Sequence, residues 1–266
     1  RADGYSPVFS LDALEQSTVS PVNRRMYENV DWNSTNTINY IHTFAKKHNL
    51  NVMAGFTAER FGYWNVEAKR EGIPSDEETL REVNAGTGAQ FGWGDTSYNT
   101  LVSYLGRVMY NFDNRYYLTA SVRVDGSSRF AKGNKYATFP AVSGAWRISE
   151  EPFMKEVEWL DNLKIRAGWG KVGNQAISNS KYMTLVGSNN YVFGQTPVRV
   201  PGNVITNVGN TDLKWETVED YNVGIDLTML NSRLTVTADF YRKKSHDMLN
   251  EKENYMWMGY PSWLSK

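Results

Sequence analysis

The acidic residue pairs of this chain have the residue types of a hydrolytic site but not its spacing. Glu77-Glu78 and Glu150-Glu151 are adjacent carboxylates. Glycoside hydrolysis needs two carboxyl groups that face each other across a substrate, roughly 5 to 9 Å apart, whereas adjacent residues in a loop normally form a solvated surface. The pairs therefore predict exposed loops rather than catalysis.

Three further features of the sequence give no indication of catalysis. His42, His48 and His246 are far apart and lack the spacing with which histidines bind a metal ion. Residues 125–128 lack the ligand series of an EF-hand loop and the G-x-S-x-G of a nucleophile elbow, so they predict a turn. Without cysteine there is no thiol catalysis. The sequence predicts no enzyme, no metal site and no cofactor.

Aromatic residues in or near the predicted loops are the candidate binding residues. Trp64, Trp93, Tyr98, Tyr191 and Phe193 have flat rings that could stack on sugar faces or pack against a partner protein. An equally good interpretation is that these rings only pack the loops together. On the first interpretation, these residues are predicted to contact the substrate or a partner.

Composition excludes several classes of protein. Lys and Arg together number 29, as do Asp and Glu, and no basic cluster stands out, which argues against nucleic-acid binding. The 9 Trp and 16 Tyr are many for a soluble domain and suit interfacial belts or sugar-binding surfaces. No apolar run approaches the roughly 18 to 20 residues of a spanning helix, so a membrane-spanning form would require a β-barrel.

Residues 101–126 contain the clearest structural signal, a hairpin with one apolar and one polar face. Apolar and polar residues alternate through 101–112, the chain reverses at 113–115, and the alternation resumes through 116–126. A period of two residues is that of a β-strand, so the apolar face must meet a packed core or lipid. The predicted apolar face consists of Val102, Tyr104, Gly106, Val108, Tyr110, Phe112, Tyr116, Leu118, Ala120, Val122 and Val124.

Further alternating segments predict about eight strands in all, with connections that alternate in length. One helical turn is expected within 75–83, and one or two are expected within 150–162. Pro140 is expected to cause a bulge or a local break in its strand. The predicted short turns are 46–49, 113–115, 150–162 and 229–233, and the predicted long loops are 68–97, 127–134 and 172–213.

The alternation of short and long connections is typical of an outer-membrane β-barrel, in which periplasmic turns are short and extracellular loops are long. About 10 residues suffice for a tilted strand to cross the membrane. The short turns are therefore predicted to face the periplasm, and the long loops to face outside. An aromatic belt near the short turns would then contain Phe44, Phe112, Tyr116 and Trp146, and Tyr136 and Trp169 would lie near the other rim.

The polar face of the predicted strands would line the lumen. Its charged residues could form a substrate path, but a wall that pairs its charges is the more common arrangement. Gly55, Gly168 and Gly224 on this face are predicted to allow close approach of another backbone segment. The charged residues are Arg107, Arg123, Arg147, Lys164, Arg166, Asp220, Asp226 and Asp239.

Short motifs follow one another between residues 105 and 249, within a resemblance that covers most of residues 28–250. They are LGR at 105–107, NRYYLTAS at 114–121, DGSSRF at 125–130, FPAVS at 139–143, WRISEE at 146–151, LKIR at 163–166, GNQ at 173–175, LKWE at 213–216 and DML at 247–249. Each motif is weak alone. Together and in this order they closely resemble the barrel of SusC/RagA-like TonB-dependent transporters of Bacteroidota.

The resemblance implies an all-β fold, a transmembrane antiparallel β-barrel of about 22 strands in the outer membrane. Residues 1–266 would be a middle portion of that one barrel domain, because no plug, TonB box or N-terminal extension is seen. The implied function is active import of a nutrient oligomer, an oligosaccharide or a peptide. The implied partners are outer-membrane lipid, a SusD-like surface lipoprotein, and the TonB-ExbB-ExbD complex acting through the plug.

Two other functions remain open at the level of sequence. A self-contained outer-membrane barrel of about eight strands, with a surface or adhesion role, fits the predicted strand number. A soluble carbohydrate-binding β protein fits the many aromatic residues.

Overall fold

The structure, a computed structural model, describes residues 2–5, 9–10, 16–17, 19–193, 198–253 and 262–265. The strands are β1 Ala2–Tyr5, β2 Phe9–Ser10, β3 Gln16–Ser17, β4 Val22–Phe44, β5 His48–Arg70, β6 Gln90–Phe112, β7 Tyr116–Ser127, β8 Tyr136–Arg147, β9 Leu160–Asn174, β10 Leu185–Phe193, β11 Val198–Asn207, β12 Glu216–Met229, β13 Leu234–His246, β14 Asn250–Glu253 and β15 Ser262–Ser265. Short 3₁₀ helices cover Glu78–Leu80, Val83–Ala85, Ile148–Glu150 and Pro152–Met154. Across the described ranges, no helix is long and apolar enough to cross a membrane.

One sheet contains all the long strands that the sequence predicts. Its order is β1-β4-β5-β6-β7-β8-β9-β12-β13, so β1 and β13 lie at the two ends of the order. Tight turns join β4 to β5, β6 to β7 and β12 to β13, and residues with positive φ occupy them, as at Asp113 and Asn114 with φ of 54° and 57°. The predicted all-β antiparallel fold is confirmed.

The chain divides into two compact units. One contains Arg1–Trp32 and Arg60–Asn99, and the other contains Asn33–Glu59 and Thr100–Lys266. In the first unit, the loop after β5 is held by a hydrogen bond of 2.8 Å from the Ser20 hydroxyl to the Ile73 carbonyl. The helical turn expected within 75–83 is present as a 3₁₀ helix at Glu78–Leu80, and a second 3₁₀ helix follows at Val83–Ala85.

The predicted long loop 172–213 contains a hairpin that the sequence analysis missed. Strands β10 and β11 pair with each other only, for example Tyr191 with Val200 and Ser188 with Asn203. A two-stranded hairpin outside the main sheet has no buried face to impose an alternation of apolar and polar residues. The predicted long loop is therefore a long connection that contains a paired hairpin.

The segment between β8 and β9 forms two 3₁₀ helices instead of the predicted helical turns of 150–162. Glu151 separates them in an extended conformation, with φ of −74° and ψ of 147°. The reason is Pro152, because a proline disfavours the helical region for the residue before it. Pro152 therefore separates the two 3₁₀ helices and begins the second of them.

Pro140 does not cause a bulge on the β7 side of its strand. It pairs with Val122 in an unbroken register. The ladder between β8 and β9 begins only at Ala141, opposite Gly170. Since proline has no N–H to donate, the expected break is present on the β9 side alone.

Cross-strand register gives the sheet one apolar face, here called the outer face, and one polar inner face. Many large residues of the apolar face are exposed, from 38% for Ile225 to 75% for Phe240. Its exposed members include Tyr104, Val108, Leu118, Val122, Val142, Trp146, Ile165, Tyr221, Val223, Ile225, Val236 and Phe240. A continuous apolar face of this extent requires lipid or another protein layer.

Candidate functional site

The inner face of β7, β8, β9 and β12 carries a groove of about 470 Å³. Its floor consists of small residues, because Ser143 lies opposite both Thr119 and Gly168, and Gly168 lies opposite Asn222. The groove is lined by Tyr117, Thr119, Ser143, Gly144, Ala145, Lys164, Arg166, Ala167, Gly168 and Asn222. Hydroxyl, amide and guanidinium groups therefore face a space with room for a polar ligand or another chain segment.

Several charged residues of the inner face form ion pairs, some across strands and one within a strand. Arg166 of β9 has Nη1 at 2.7 Å from Asp239 Oδ1 of β13 and Nε at 3.2 Å from Asp226 Oδ2 of β12. Arg123 has Nε at 2.7 Å from Asp125 Oδ1. These pairs support the interpretation of a charge-paired wall.

Gly224 has a different role from the predicted one. A Cβ at this position would lie 2.6 Å from Arg166 Cζ and 2.7 Å from Asp239 Oδ1, so the glycine leaves room for that ion pair. The prediction that Gly224 admits another backbone was therefore wrong. Gly168 differs, because the nearest atom to a Cβ there is Ser143 Cβ at 3.5 Å, and Gly55 is similarly open. For these two glycines, close approach of another backbone stays a prediction.

Replacing Gly224 by alanine should displace the Arg166 guanidinium and destabilise the barrel by about 1 kcal/mol. The matched control is Gly168→Ala, in which the added Cβ makes only ordinary van der Waals contacts. The free energy of unfolding of this variant should stay within about 0.5 kcal/mol of wild type. Denaturant unfolding of the vesicle-reconstituted protein measures both. Equal effects of the two substitutions would contradict the role given to Gly224.

An aromatic row lies beside the short turns on the outer face, as predicted. The Phe112 and Tyr116 rings, and the Tyr116 and Trp146 rings, each stack with centroids 6.2 Å apart. Glu151 of the next turn accepts hydrogen bonds of 2.5 Å from Tyr116 Oη and 3.0 Å from Trp146 Nε1. These bonds, with one from Arg115, lower the pKa of Glu151. The turn therefore holds a carboxylate that ties the aromatic row together.

At the other end of the strands, the loops pack around a buried cluster, here called the rim core: Phe130, Phe139, Ile177, Leu213 and Trp215. Phe130 and Leu213 are completely buried. The Phe130 and Trp215 centroids lie 5.4 Å apart, and Trp215 Nε1 donates to a loop carbonyl at 2.9 Å. The rim core rigidly joins three connections that are distant in sequence.

The rim core gathers most of the motifs that carried the family resemblance. Arg129 of DGSSRF donates to the carbonyl of Gln175 of GNQ at 3.2 Å. Lys214 of LKWE forms an ion pair of 2.8 Å with Asp247 of DML. Sequence reasoning missed this cluster, although the repeated occurrence of such motifs at the loop end of strands was a usable signal.

The predicted binding aromatics are divided between the two compact units. Trp64, Trp93 and Tyr98 belong to the first compact unit, and Tyr191 and Phe193 to the second. Trp93 and Tyr98 are an odd number of residues apart on β6, so alternation places them on opposite faces. Binding by these residues stays a prediction.

The contacts of Tyr98 and Tyr191 favour a packing role. The Arg60 guanidinium carbon lies 5.4 Å from the Tyr98 ring centroid. Tyr191 packs over Gly202 within the β10–β11 hairpin, and its hydroxyl donates to the Asn203 carbonyl at 3.1 Å. The Phe193 side chain lies outside the described residues.

Comparison with known proteins gives consistent matches. Residues 2–260 match the family described as TonB dependent receptor-like, beta-barrel. TonB-dependent receptor P26 of Formosa agariphila is 33% identical over 82% of this chain and 22% of its own length. TonB-dependent receptor SusC of Bacteroides thetaiotaomicron is 43% identical over 57% of this chain and 15% of its own length. The chain thus spans about a fifth or less of the length of these relatives.

Solved structures of the RagAB peptide transporter have a similar fold. One superposes with a TM-score of 0.83 at 28% identity and covers 96% of this chain and 28% of the matched chain. The RagAB peptide importer in its open-open state gives 0.80 at the same identity. The similarity extends along nearly all of the chain.

Proposed function

The chain belongs to the TonB-dependent receptor-like β-barrel family of outer-membrane proteins, and from this membership we propose that it forms part of the barrel wall of a nutrient importer. The observation that carries the proposal is the division of one sheet into an exposed apolar outer face and an inner face of paired charges. Lipid outside and a polar lumen inside require that division.

The wall must be completed by strands beyond the nine of this sheet. An open sheet would leave two unpaired edges, which lipid does not tolerate. Closing only these strands would give a barrel too narrow for an oligomer to pass. We therefore infer that residues 1–266 are one continuous part of a larger barrel, with a plug that acts through TonB, ExbB and ExbD.

The proposed cargo is a peptide or an oligosaccharide. The similar RagAB proteins are described as a peptide importer, and SusC is a TonB-dependent receptor. A SusD-like surface lipoprotein is the proposed lid, contacting the long connections at the rim core end. The predicted binding aromatics, among them Trp64 on β5 and Tyr191 on β10, are proposed contacts for the lid or the cargo. No enzymatic activity is proposed.

The exposed apolar face distinguishes this proposal from a soluble carbohydrate-binding protein. Such a protein would bury residues like Val223 and Phe240, which here are exposed by 52% and 75%. A self-contained small barrel remains the second candidate. The small barrel differs from the proposed wall segment because it requires β13 to pair directly with the strands at the other end of the sheet.

Import by the full-length protein is tested in the native host. Uptake of labelled peptides and oligosaccharides should occur with the functional protein and stop when TonB is inactivated. The full-length protein should also co-purify with a surface lipoprotein. Uptake that persists without TonB, or through residues 1–266 alone, would contradict the proposal.

The orientation of the barrel is tested by cysteine labelling of intact cells, for which the cysteine-free chain offers no background. Ser188→Cys in the β10–β11 hairpin should react with a membrane-impermeant reagent. Asn114→Cys in the turn between β6 and β7 should react only after the cells are opened. Labelling in the reverse order would show that the long connections face the periplasm.

A further inference from the structure

Strand β13 places two basic residues on the outer face, beyond its apolar part. Arg242 and Lys244 continue the alternation that runs from Leu234 to Phe240, and both are exposed. Lys243 between them lies opposite Asp220 on the inner face. The two outer cations therefore point in the same direction as the residues that contact lipid.

Cross-strand pairing places these cations in two rows with residues of β9 and β12. Residues directly opposite one another in a sheet share a face, so each row lies on the outer face. The rows are Trp169, Tyr221 and Arg242, and then, nearer the long connections, Lys171, Glu219 and Lys244. Moving along the strands, the outer face therefore changes from aliphatic to aromatic to charged.

The single acid in these rows does not neutralise the cations of β13. Glu219 accepts a hydrogen bond of 2.9 Å from Trp169 Nε1 and lies 3.9 Å from Lys171 Nζ and 3.3 Å from His246 Nε2. Its side chain is 16% exposed. Among the described residues, neither the Arg242 side chain nor the Lys244 side chain has an ion-pair or hydrogen-bond partner.

The position of the cations corresponds to the level of lipid headgroups. From Leu234 to Lys244 the strand rises about 33 Å, which at a tilt of about 40° spans about 25 Å of membrane thickness. That distance is the height of the apolar band of an outer-membrane barrel. Leu234 follows a short turn, so Lys244 lies at the opposite headgroup level, on the side of the long connections.

We propose that Arg242 and Lys244, together with Lys171, bind the phosphate group of an anionic lipid in the outer leaflet. A guanidinium presents a fork of donors that matches phosphate oxygens, and a lysine adds a compact charge beside it. Trp169 and Tyr221 would pack against the lipid just below its headgroup. The inference rests on the proposed orientation and membrane location, and it does not depend on import.

The test uses the full-length protein purified in detergent. It is titrated with phosphatidylglycerol or with phosphatidylcholine of the same acyl chains, and native mass spectrometry counts the bound lipids. Wild type should retain phosphatidylglycerol preferentially. The double variant R242Q/K244Q should lose that preference by about fivefold for each basic residue removed. The matched control, Lys243→Gln, removes the same charge from the inner face and should behave as wild type.

Several results would overturn the proposal. An unchanged preference in R242Q/K244Q would show that these cations do not bind lipid, and an equal loss in Lys243→Gln would show an effect of net charge alone. Binding of inorganic phosphate that R242Q/K244Q abolishes would indicate a soluble-anion site instead. Heat-modifiable gel mobility reports folding of each variant, and the swap R242K/K244R should keep the preference. If the double variant does not fold, both single glutamine variants at wild-type preference would overturn the proposal.

Lipid preference and import can fail separately. Loss of import with retained lipid preference would reject the proposed function and leave this site in place. Retained import with no lipid preference would reject only the site.

Discussion

Replacing Ala120 by arginine is expected to destabilise the folded barrel by about 2 to 4 kcal/mol. Ala120 lies on the outer face between Val108 and Val142. It is about 13 Å along β7 from Tyr116 of the aromatic belt, and so lies near the middle of the membrane. An arginine there must place its charge in lipid or distort the sheet, and denaturant unfolding in lipid vesicles measures the cost.

The neighbouring residue supplies a matched control. Thr119 lies on the same strand but lines the inner groove, opposite Ser143. Thr119→Arg should change stability much less, because its side chain enters an aqueous lumen. Equal losses at Thr119 and Ala120 would mean that both faces are packed against protein, which would contradict the membrane assignment.

Replacing Phe130 by alanine is expected to cost about 3 to 5 kcal/mol, the usual range for a buried aromatic residue. Phe130 is fully buried against Trp215 in the rim core. The cavity should also loosen the loops that the rim core joins, because the ring lies between them. Denaturant unfolding measures the stability, and limited proteolysis at the cell surface reports the loosening of the loops.

Phe153 is the control for this substitution. It has the same side chain but is 65% exposed in the turn between β8 and β9. Phe153→Ala should change stability by no more than about 0.5 kcal/mol. A Phe130→Ala variant as stable as Phe153→Ala would show that the rim core does not hold the barrel together.

The local features of the fold could be predicted from sequence because they depend on near neighbours. Alternation through 101–112 and 116–126 identified two strands, their faces and the turn between them. β6 and β7 confirm the faces and the turn, but β6 begins at Gln90, within the predicted loop 68–97. The sequence likewise indicated that Arg166 and Asp226 share the inner face, because alternate residues of a strand lie on the same face. The two-residue period of a strand and the residue preferences of a tight turn can be recognised without knowing which distant residues are in contact.

The tertiary structure alone decided which distant residues meet. Trp215 donates to the carbonyl of Lys135, 80 residues earlier, and no local pattern relates these two positions. The same holds for Gly224, whose lack of a side chain is explained only by the Arg166 guanidinium from a neighbouring strand. Strand register determines such contacts, so the sequence predicted the two faces of the wall, whereas folding determined the rim core and the ion pairs that hold it.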